Sequence, residues 1–214
     1  EKSNDPGVEG TAHFYKGQAE AAVRQFALAL RSYDTAIQLF KQKNNVKGLA
    51  MVYGKKASLY TLQDELNLAD TLYDLAIEYA EKESLHGLLI DLYQKRANLH
   101  STAQPSDAAI LFLKNALQYA ILTEADEATI HLINQISTNY QTIGELDSAI
   151  LYFQKSLGLK QGMNDSEGMV SDYSALGNLY RERGDYENAQ LQLMEALNIA
   201  EAEKDSFSMT TVYS

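Results

Sequence analysis

Cysteine is missing from all 214 residues. Its absence excludes disulfides, thiolate nucleophiles and cysteine-based zinc sites, and it leaves the redox compartment open. Basic residues are few: 18 Lys and Arg stand against 29 Asp and Glu, for a formal net charge of −11. The cations are scattered, whereas a nucleic-acid binder needs them clustered to displace counterions from phosphates. Direct DNA or RNA binding is therefore not expected. No stretch reaches the roughly 18 consecutive apolar residues of a membrane span, and no signal peptide opens the chain. P-loops, dinucleotide glycine fingerprints and nucleophile elbows are also absent. Acid pairs such as Asp64/Glu65 and Glu201/Glu203 read as surface charge. The sequence thus predicts no catalysis and no cofactor.

What the chain does have is a period. Ala29, Ala69, Ala109, Ala149 and Ala189 follow one another at 40-residue steps. Ala36, Ala76, Ala116, Ser156 and Ala196 share a second phase, and Ile37, Ile77, Leu117, Leu157 and Leu197 a third. Tyr33, Tyr73, Leu113, Phe153 and Leu193 put bulk at a fourth. A register this long signals a repeat array, whose usual product is a surface and not a pocket.

Within a unit the apolar spacing is helical. Met169, Tyr173, Leu176, Leu179 and Tyr180 recur at three- and four-residue steps. Gly184-Asp185 interrupts them, and a second stripe follows through Tyr186, Ala189, Leu193, Ala196, Leu197 and Ala200. The preceding unit repeats the plan around Gly144-Glu145. Asn45, Asp165 and Asp205 fall just ahead of first helices and suit N-caps. Gly17, Ala57, Ala97, Ser137 and Gly177 lie in the first helices, opposite the alanines of the second, where small side chains let two helices approach. A lone pair cannot bury both faces, so neighbours must stack on it.

The segments Ala175-Leu-Gly-Asn-Leu-Tyr180, Gly184-Asp-Tyr-Glu-Asn-Ala189 and Glu195-Ala-Leu-Asn-Ile-Ala200 closely resemble the tetratricopeptide repeat. Similarity is good around Ser137–Leu157 and Ala57–Ile77. It weakens where Arg96 replaces the usual Leu, His100 the usual Tyr and Gln104-Pro105 the usual Gly turn. It is weakest where Glu20 stands in for Tyr and Arg24-Gln25 for the first turn, whose geometry is left open. The 40-residue unit resembles the longer variant of kinesin light chains and bacterial signalling proteins. The resemblance implies an all-α, right-handed α-solenoid of five helix pairs over residues 10–209. A disordered lead-in over 1–9 and a truncated sixth repeat at 210–214, with Tyr213 forty residues after Tyr173, complete the expected layout.

Histidines offer no metal site. His13 shares a phase with Tyr53, Tyr93 and Tyr173, and His100 with Tyr60, Tyr140 and Tyr180, so both read as packing residues. His86 falls in a turn. No two histidines are spaced as i, i+4 ligands. Most of the 14 tyrosines fall at repeat phases and read as inter-helix packing.

In tetratricopeptide arrays the first helices line a concave groove for peptide segments. By that resemblance the candidate groove residues are Asp91, Gln94, Asn98, His131, Asn134, Thr138, Gln141, Ser174, Asn178 and Arg181. Most are uncharged amides and hydroxyls, which both donate and accept and so suit a peptide backbone of any sequence. Thr11, Phe14, Gln18, Met51, Gly54, Ser58 and Leu62 hold the same phases earlier in the chain. The Lys and Arg set of a chaperone-tail clamp is missing apart from Arg181. The expected function is non-catalytic protein or peptide binding, with most of the energy in the third to fifth units. Alternatives are the sensor region of a bacterial signal-transduction protein (a histidine kinase or transcriptional regulator) and self-assembly through the array ends. The chain begins at Glu1 without Met and stops inside a repeat, so a longer parent with an effector domain is expected. The resemblance implies a bacterial source and leaves periplasm and cytoplasm both open.

Overall fold

The computed structural model describes residues 6–101 and 106–203. Among them are ten α-helices and no strand: α1 (Pro6–Ala22), α2 (Phe26–Gln42), α3 (Val46–Thr61), α4 (Leu66–Lys82), α5 (His86–Ser101), α6 (Asp107–Leu122), α7 (Asp126–Thr142), α8 (Leu146–Met163), α9 (Ser166–Glu182) and α10 (Tyr186–Ala202). The odd-numbered helices start at 6, 46, 86, 126 and 166, so the 40-residue period of the sequence is the period of the helix pairs. The fold is all-α, a tandem array of helix–turn–helix repeats.

The expected lead-in is too long. α1 begins at Pro6, so residues 6–9 are helical. Proline suits a first helical position, because its missing amide would have gone unpaired there and its fixed φ is already helical. Glu9 adds a negative charge in the first turn, where the helix dipole favours one. Residues 1–5 lie outside the described residues, as do Asp205, Tyr213 and the expected sixth repeat at 210–214.

Among the described residues the turns share one form. Arg24, Asn44, Asp64, Ser84, Glu124, Gly144, Asn164 and Gly184 all have positive φ. At the last of them the Gly184 amide donates to the Arg181 carbonyl at 3.0 Å and the Asp185 amide to the Tyr180 carbonyl at 2.8 Å. This pair of back-bonds closes the carbonyl end of a helix around a left-handed residue. The first turn, left open by the sequence, is the same: Arg24 takes φ 59°, and the Gln25 amide donates to Glu20 O at 2.9 Å. The expected caps at Asn45 and Asp165 accept from Gly48 N at 2.8 Å and Gly168 N at 2.9 Å. Ser106 and Asp185 cap too, accepting from Ala109 N and Asn188 N.

Two compact units divide the chain at 102/103, inside the third repeat and between α5 and α6. In the first, α1 pairs with α2 and α3 with α4; α2 packs on α3, α4 on α5, and α3 also touches both α1 and α5. In the second, α7 pairs with α8 and α9 with α10, while α6 packs on α7 and α8 on α9. The phased residues are the core of each. Ala29, Ala36, Ala69, Ala76 and Ala57 are fully buried in the first unit beside Tyr33 and Tyr73. In the second, Ala109, Ala116, Ala149, Ser156, Ala196 and Ser137 are fully buried, and Ala149, Ile150 and Phe153 cluster with Leu176 and Leu179. Burying a leucine such as Leu176 is worth about 1.5–3 kcal/mol.

The closeness of the pairs sets their sensitivity. A Cβ placed on Gly177 would lie 2.6 Å from Leu193 Cγ and 3.3 Å from the Ala189 carbonyl oxygen. Gly177→Leu and Ala149→Leu should therefore each cost about 1–3 kcal/mol through overpacking. Urea melts of both variants test this; unchanged midpoints would mean the pairs are not in contact there.

Candidate functional site

In the first unit the odd-numbered helices touch one another directly, α1 with α3 and α3 with α5, and so share one face. That face is hollowed. A cavity of about 270 Å³ lies over Phe14, Phe40, Gly48 and Met51, with Thr11, Tyr15, Asn45 and Lys47 at its edge. A second, about 230 Å³, is lined by Met51, Gly54, Leu88 and Leu92 with Lys55, Asp91 and Lys95. A third, about 320 Å³, runs over Met51, Leu85 and Leu88 beside Lys47. Met51 is common to all three.

Glycine in α3 shapes this floor. A Cβ on Gly54 would lie 2.6 Å from Leu92 Cδ2, and one on Gly48 would lie 2.8 Å from the Phe40 ring. With no side chain at either position, α5 and α2 bring Leu92 and Phe40 against the α3 backbone. The result is an apolar bed with cations along its rim.

The residues marked by sequence fall in both units. In the first, Asp91 lines the second cavity and pairs with Lys95 at 2.7 Å, Gln94 is half-buried and Asn98 is exposed. In the second, His131 and Thr138 on α7 and Asn178 and Arg181 on α9 are exposed. Thr138 Oγ1 donates to the Asn134 carbonyl at 3.0 Å, and Gln141 Nε2 reaches Glu182 Oε2 at 3.5 Å. Asn134 Oδ1 and Ser174 Oγ, at the same phase on α7 and α9, are buried with no hydrogen-bond partner. Met51, with Lys47 and Lys55 four residues to either side, was not singled out as the centre of a site. The sequence held the signal in an i, i+4, i+8 row, but its meaning depended on the hollows around it.

Arg96 and His100, the departures from the repeat pattern, have a structural account. Arg96 donates from Nε to Asp70 Oδ1 at 2.8 Å, from Nη2 to Asp70 Oδ2 at 3.2 Å and from Nη1 to Asp74 Oδ1 at 2.7 Å. His100 Nε2 lies 2.9 Å from Asp70 Oδ1. The two join α5 to α4 by charge, and one repeat earlier Lys56 on α3 likewise pairs with Asp34 on α2. Burial pushes the Asp70 carboxyl up, but hydrogen bonds from Arg96 and His100 outweigh it, and the group ends below the usual carboxylate range.

A second polar exchange is fully internal. Lys160 Nζ on α8 donates to Asp172 Oδ1 on α9 at 2.8 Å and to the Gly168 carbonyl at 3.2 Å, with both side chains almost wholly buried. Forty residues earlier the same phases hold Ala120 and Leu132, and eighty earlier Ala80 and Leu92. Burial pushes the Asp172 carboxyl up against the opposing pull of Lys160 and Ser156. Among the described residues no three His, Asp or Glu side chains gather as a metal site, and no helix is long and apolar enough to cross a membrane.

Against known proteins, the tetratricopeptide-repeat family model matches residues 130–162 and 173–203, most of α7–α8 and of α9–α10. No curated protein matches the sequence. Among solved structures, the apo form of RapI is 14% identical with a TM-score of 0.75, covering 96% of this chain and 58% of that one. A Podosopora anserina putative kinesin light chain with nearly identical tetratricopeptide-like repeats is 14% identical with a TM-score of 0.69, covering 95% and 99%. A Pyrococcus horikoshii signal transduction ATPase with a tetratricopeptide repeat sensor, PH0952, is 16% identical with a TM-score of 0.68; it is covered over 31% of its length, against 95% of this chain. At these identities the likeness is one of fold. The chain spans 58% of RapI and about a third of the ATPase.

Two measurements follow from the polar pairs. Lys160→Ala should cost about 3–5 kcal/mol by stranding the Asp172 charge, whereas Lys160→Ala with Asp172→Leu, restoring the apolar pair of the earlier repeats, should be neutral or stabilising. Chemical melts of single and double variants decide it; a double variant as unstable as the single would show that the pair is irreplaceable. For Asp70 the folded carboxyl is the stronger acid, so its stabilising contribution is complete above the unfolded value near about 3.9 and disappears as pH falls through the folded value. Asp70→Asn should therefore be less stable than the parent at pH 7. The gap should narrow as urea melts are carried down from pH 5 toward pH 2.

Proposed function

Residues 130–162 and 173–203 being tetratricopeptide repeats, and the other helix pairs sharing their fold, we propose that this chain is a non-catalytic module that binds a protein or peptide segment along the face of its odd-numbered helices. The observation that carries this reading is the hollowed face of α1, α3 and α5, where three adjoining cavities open beside Met51. An extended segment can set side chains into such hollows and give its backbone to neighbouring amides. In the second unit Asn134 and Ser174 support the same reading. A buried polar atom without a partner costs about 1–3 kcal/mol, and a bound segment is one way to satisfy it. Asn98, Asn134, Thr138, Gln141, Asn178 and Arg181 are the amide, hydroxyl and guanidinium groups available for backbone contacts, with Asp91, Gln94, His131 and Ser174 beside them. The uncharged run and the scattered cations favour a polypeptide ligand over nucleic acid.

A second reading, as the sensor region of a larger signalling protein, is favoured by the likeness to the sensor-bearing ATPase. In that case the same face would take the ligand, and an effector domain would answer it.

The test is selection of binders from a random-peptide library on the intact chain. Each selected peptide should be weakened by at least one substitution on the odd-helix face. Met51→Glu reports on the first unit. Asn134→Ala and Asn178→Ala report on the second, each at about 1 kcal/mol, the net worth of one hydrogen bond. Gln190→Ala and Asp147→Ala, on even-numbered helices, should leave affinity unchanged in calorimetric titrations. Peptides indifferent to all three inner substitutions, or no binders at all, would move the contact to the ends of the array.

A further inference from the structure

Lys47, Met51 and Lys55 stand at i, i+4 and i+8 on α3, so one face of that helix reads cation, thioether, cation. From this row and the hollows beside it we infer that the first unit binds an extended acidic–apolar–acidic segment of a partner protein. Its carboxylates meet Lys47 and Lys55, and its apolar side chain enters the cavities beside Met51. The assignment rests on the reading of the odd-helix face as a peptide-binding surface and names the chemistry of its ligand.

Charge is the first argument. Lys47 and Lys55 are exposed, and among the described residues neither meets a carboxylate. The cavities at α1 and at Leu85 have no acidic residue in their linings, and Asp91 in the other is already bound to Lys95. This corner is therefore cationic in a chain whose net charge is −11. The position of Lys47 is Gly87 forty residues on, then Glu127 and Glu167, while that of Lys55 recurs as Lys95, which Asp91 already neutralises. A second copy of so acidic a chain is repelled overall, which points to a different protein as the occupant.

Spacing is the second. A helix rises about 1.5 Å per residue, so Lys47 and Met51 are about 6 Å apart along α3, and Lys47 and Lys55 about 12 Å. In an extended chain, side chains at i, i+2 and i+4 face the same way at steps of about 6.6 Å. A segment with carboxylates at i and i+4 and an apolar residue at i+2 thus matches the row. The apolar bed of Phe14, Leu88 and Leu92 on either side of Met51 gives the central side chain somewhere to go.

The probe is a fluorescent nonapeptide blocked at both ends, acetyl-Gly-Ser-Asp-Ser-Leu-Ser-Asp-Gly-Ser-amide, titrated by anisotropy against the intact chain. Saturable binding is expected, weakened at least fivefold between 0.05 and 0.5 M salt. Lys47→Glu with Lys55→Glu should weaken it tenfold or more, and so should Met51→Glu or replacement of the peptide leucine by serine. A free C-terminus should bind no better than the amide, since side-chain carboxylates carry the contact. Unchanged helicity by circular dichroism shows that the variants fold, as the exposed lysines lead one to expect. Equal affinity of the lysine variant, or equal binding of a peptide whose two acids are adjacent, overturns the inference. So does a wild-type dimer in sedimentation that the lysine variant lacks, because the cleft would then belong to self-association. Failure of the probe while library peptides still respond to Asn134→Ala or Asn178→Ala would remove this cleft and leave the wider reading standing. Failure of both would remove the two together.

Discussion

Eight of the ten described helices are followed by a left-handed residue, at positions 24, 44, 64, 84, 124, 144, 164 and 184. The turn leaves no slack. The residue after it donates back five positions to close one helix, and it also stands as the N-cap of the next, as Asn45, Asp165 and Asp185 do. With loop length fixed, the small residue of a first helix meets the alanine twelve positions later: Gly17 with Ala29, Gly177 with Ala189. Six of the eight described turns hold a residue other than glycine there, at a conformational cost of about 1–2 kcal/mol each. The two back-bonds per turn and the packing they bring offset it.

Much of this was written in the sequence as phase. The alanines, the paired helices and the glycine turns at 144 and 184 could all be read, because each is a residue type repeated where one physical requirement repeats. The turns at Arg24, Ser84 and Glu124 could not. Left-handed backbone on an ordinary side chain leaves no compositional trace, and only the neighbouring helices force it. The start of α1 was missed for a related reason: Asp5-Pro6-Gly7 carries turn residues, yet proline also opens helices. The amide run over Asn98, Asn134 and Asn178 was legible as a set of phases, but exposure and partners were not. Asn134 Oδ1 is buried and unpaired while Asn178 is exposed, and phase alone does not separate them. The hollows depend on what is missing at Gly48 and Gly54 and on where Phe40 and Leu92 come to rest.

The two units solve similar packing problems with different inner faces. In the first, the face is apolar under a rim of lysines, and its polar exchanges, Arg96 and His100 with Asp70, sit away from it between α4 and α5. In the second, the candidate face carries amides and hydroxyls with Arg181, and a charged exchange is sunk between α8 and α9. A repeat scaffold permits this because each interface is settled by its neighbours alone. Substituting one pair of phases changes a surface locally and leaves the turns as they were.

The Lys160–Asp172 pair has a further consequence for a chain built from near-copies of itself. Tandem repeats are at risk of joining one unit out of step, since any second helix can meet any first helix of similar shape. An exchange of that kind would set Lys160 against the kind of surface Leu132 presents and Asp172 against the place of Ala120, leaving each charge buried and unanswered. The pair therefore acts as a key in a lock of otherwise interchangeable parts. It addresses α8 to α9 alone, and a shuffled array carrying one half without the other would lose its order at that joint.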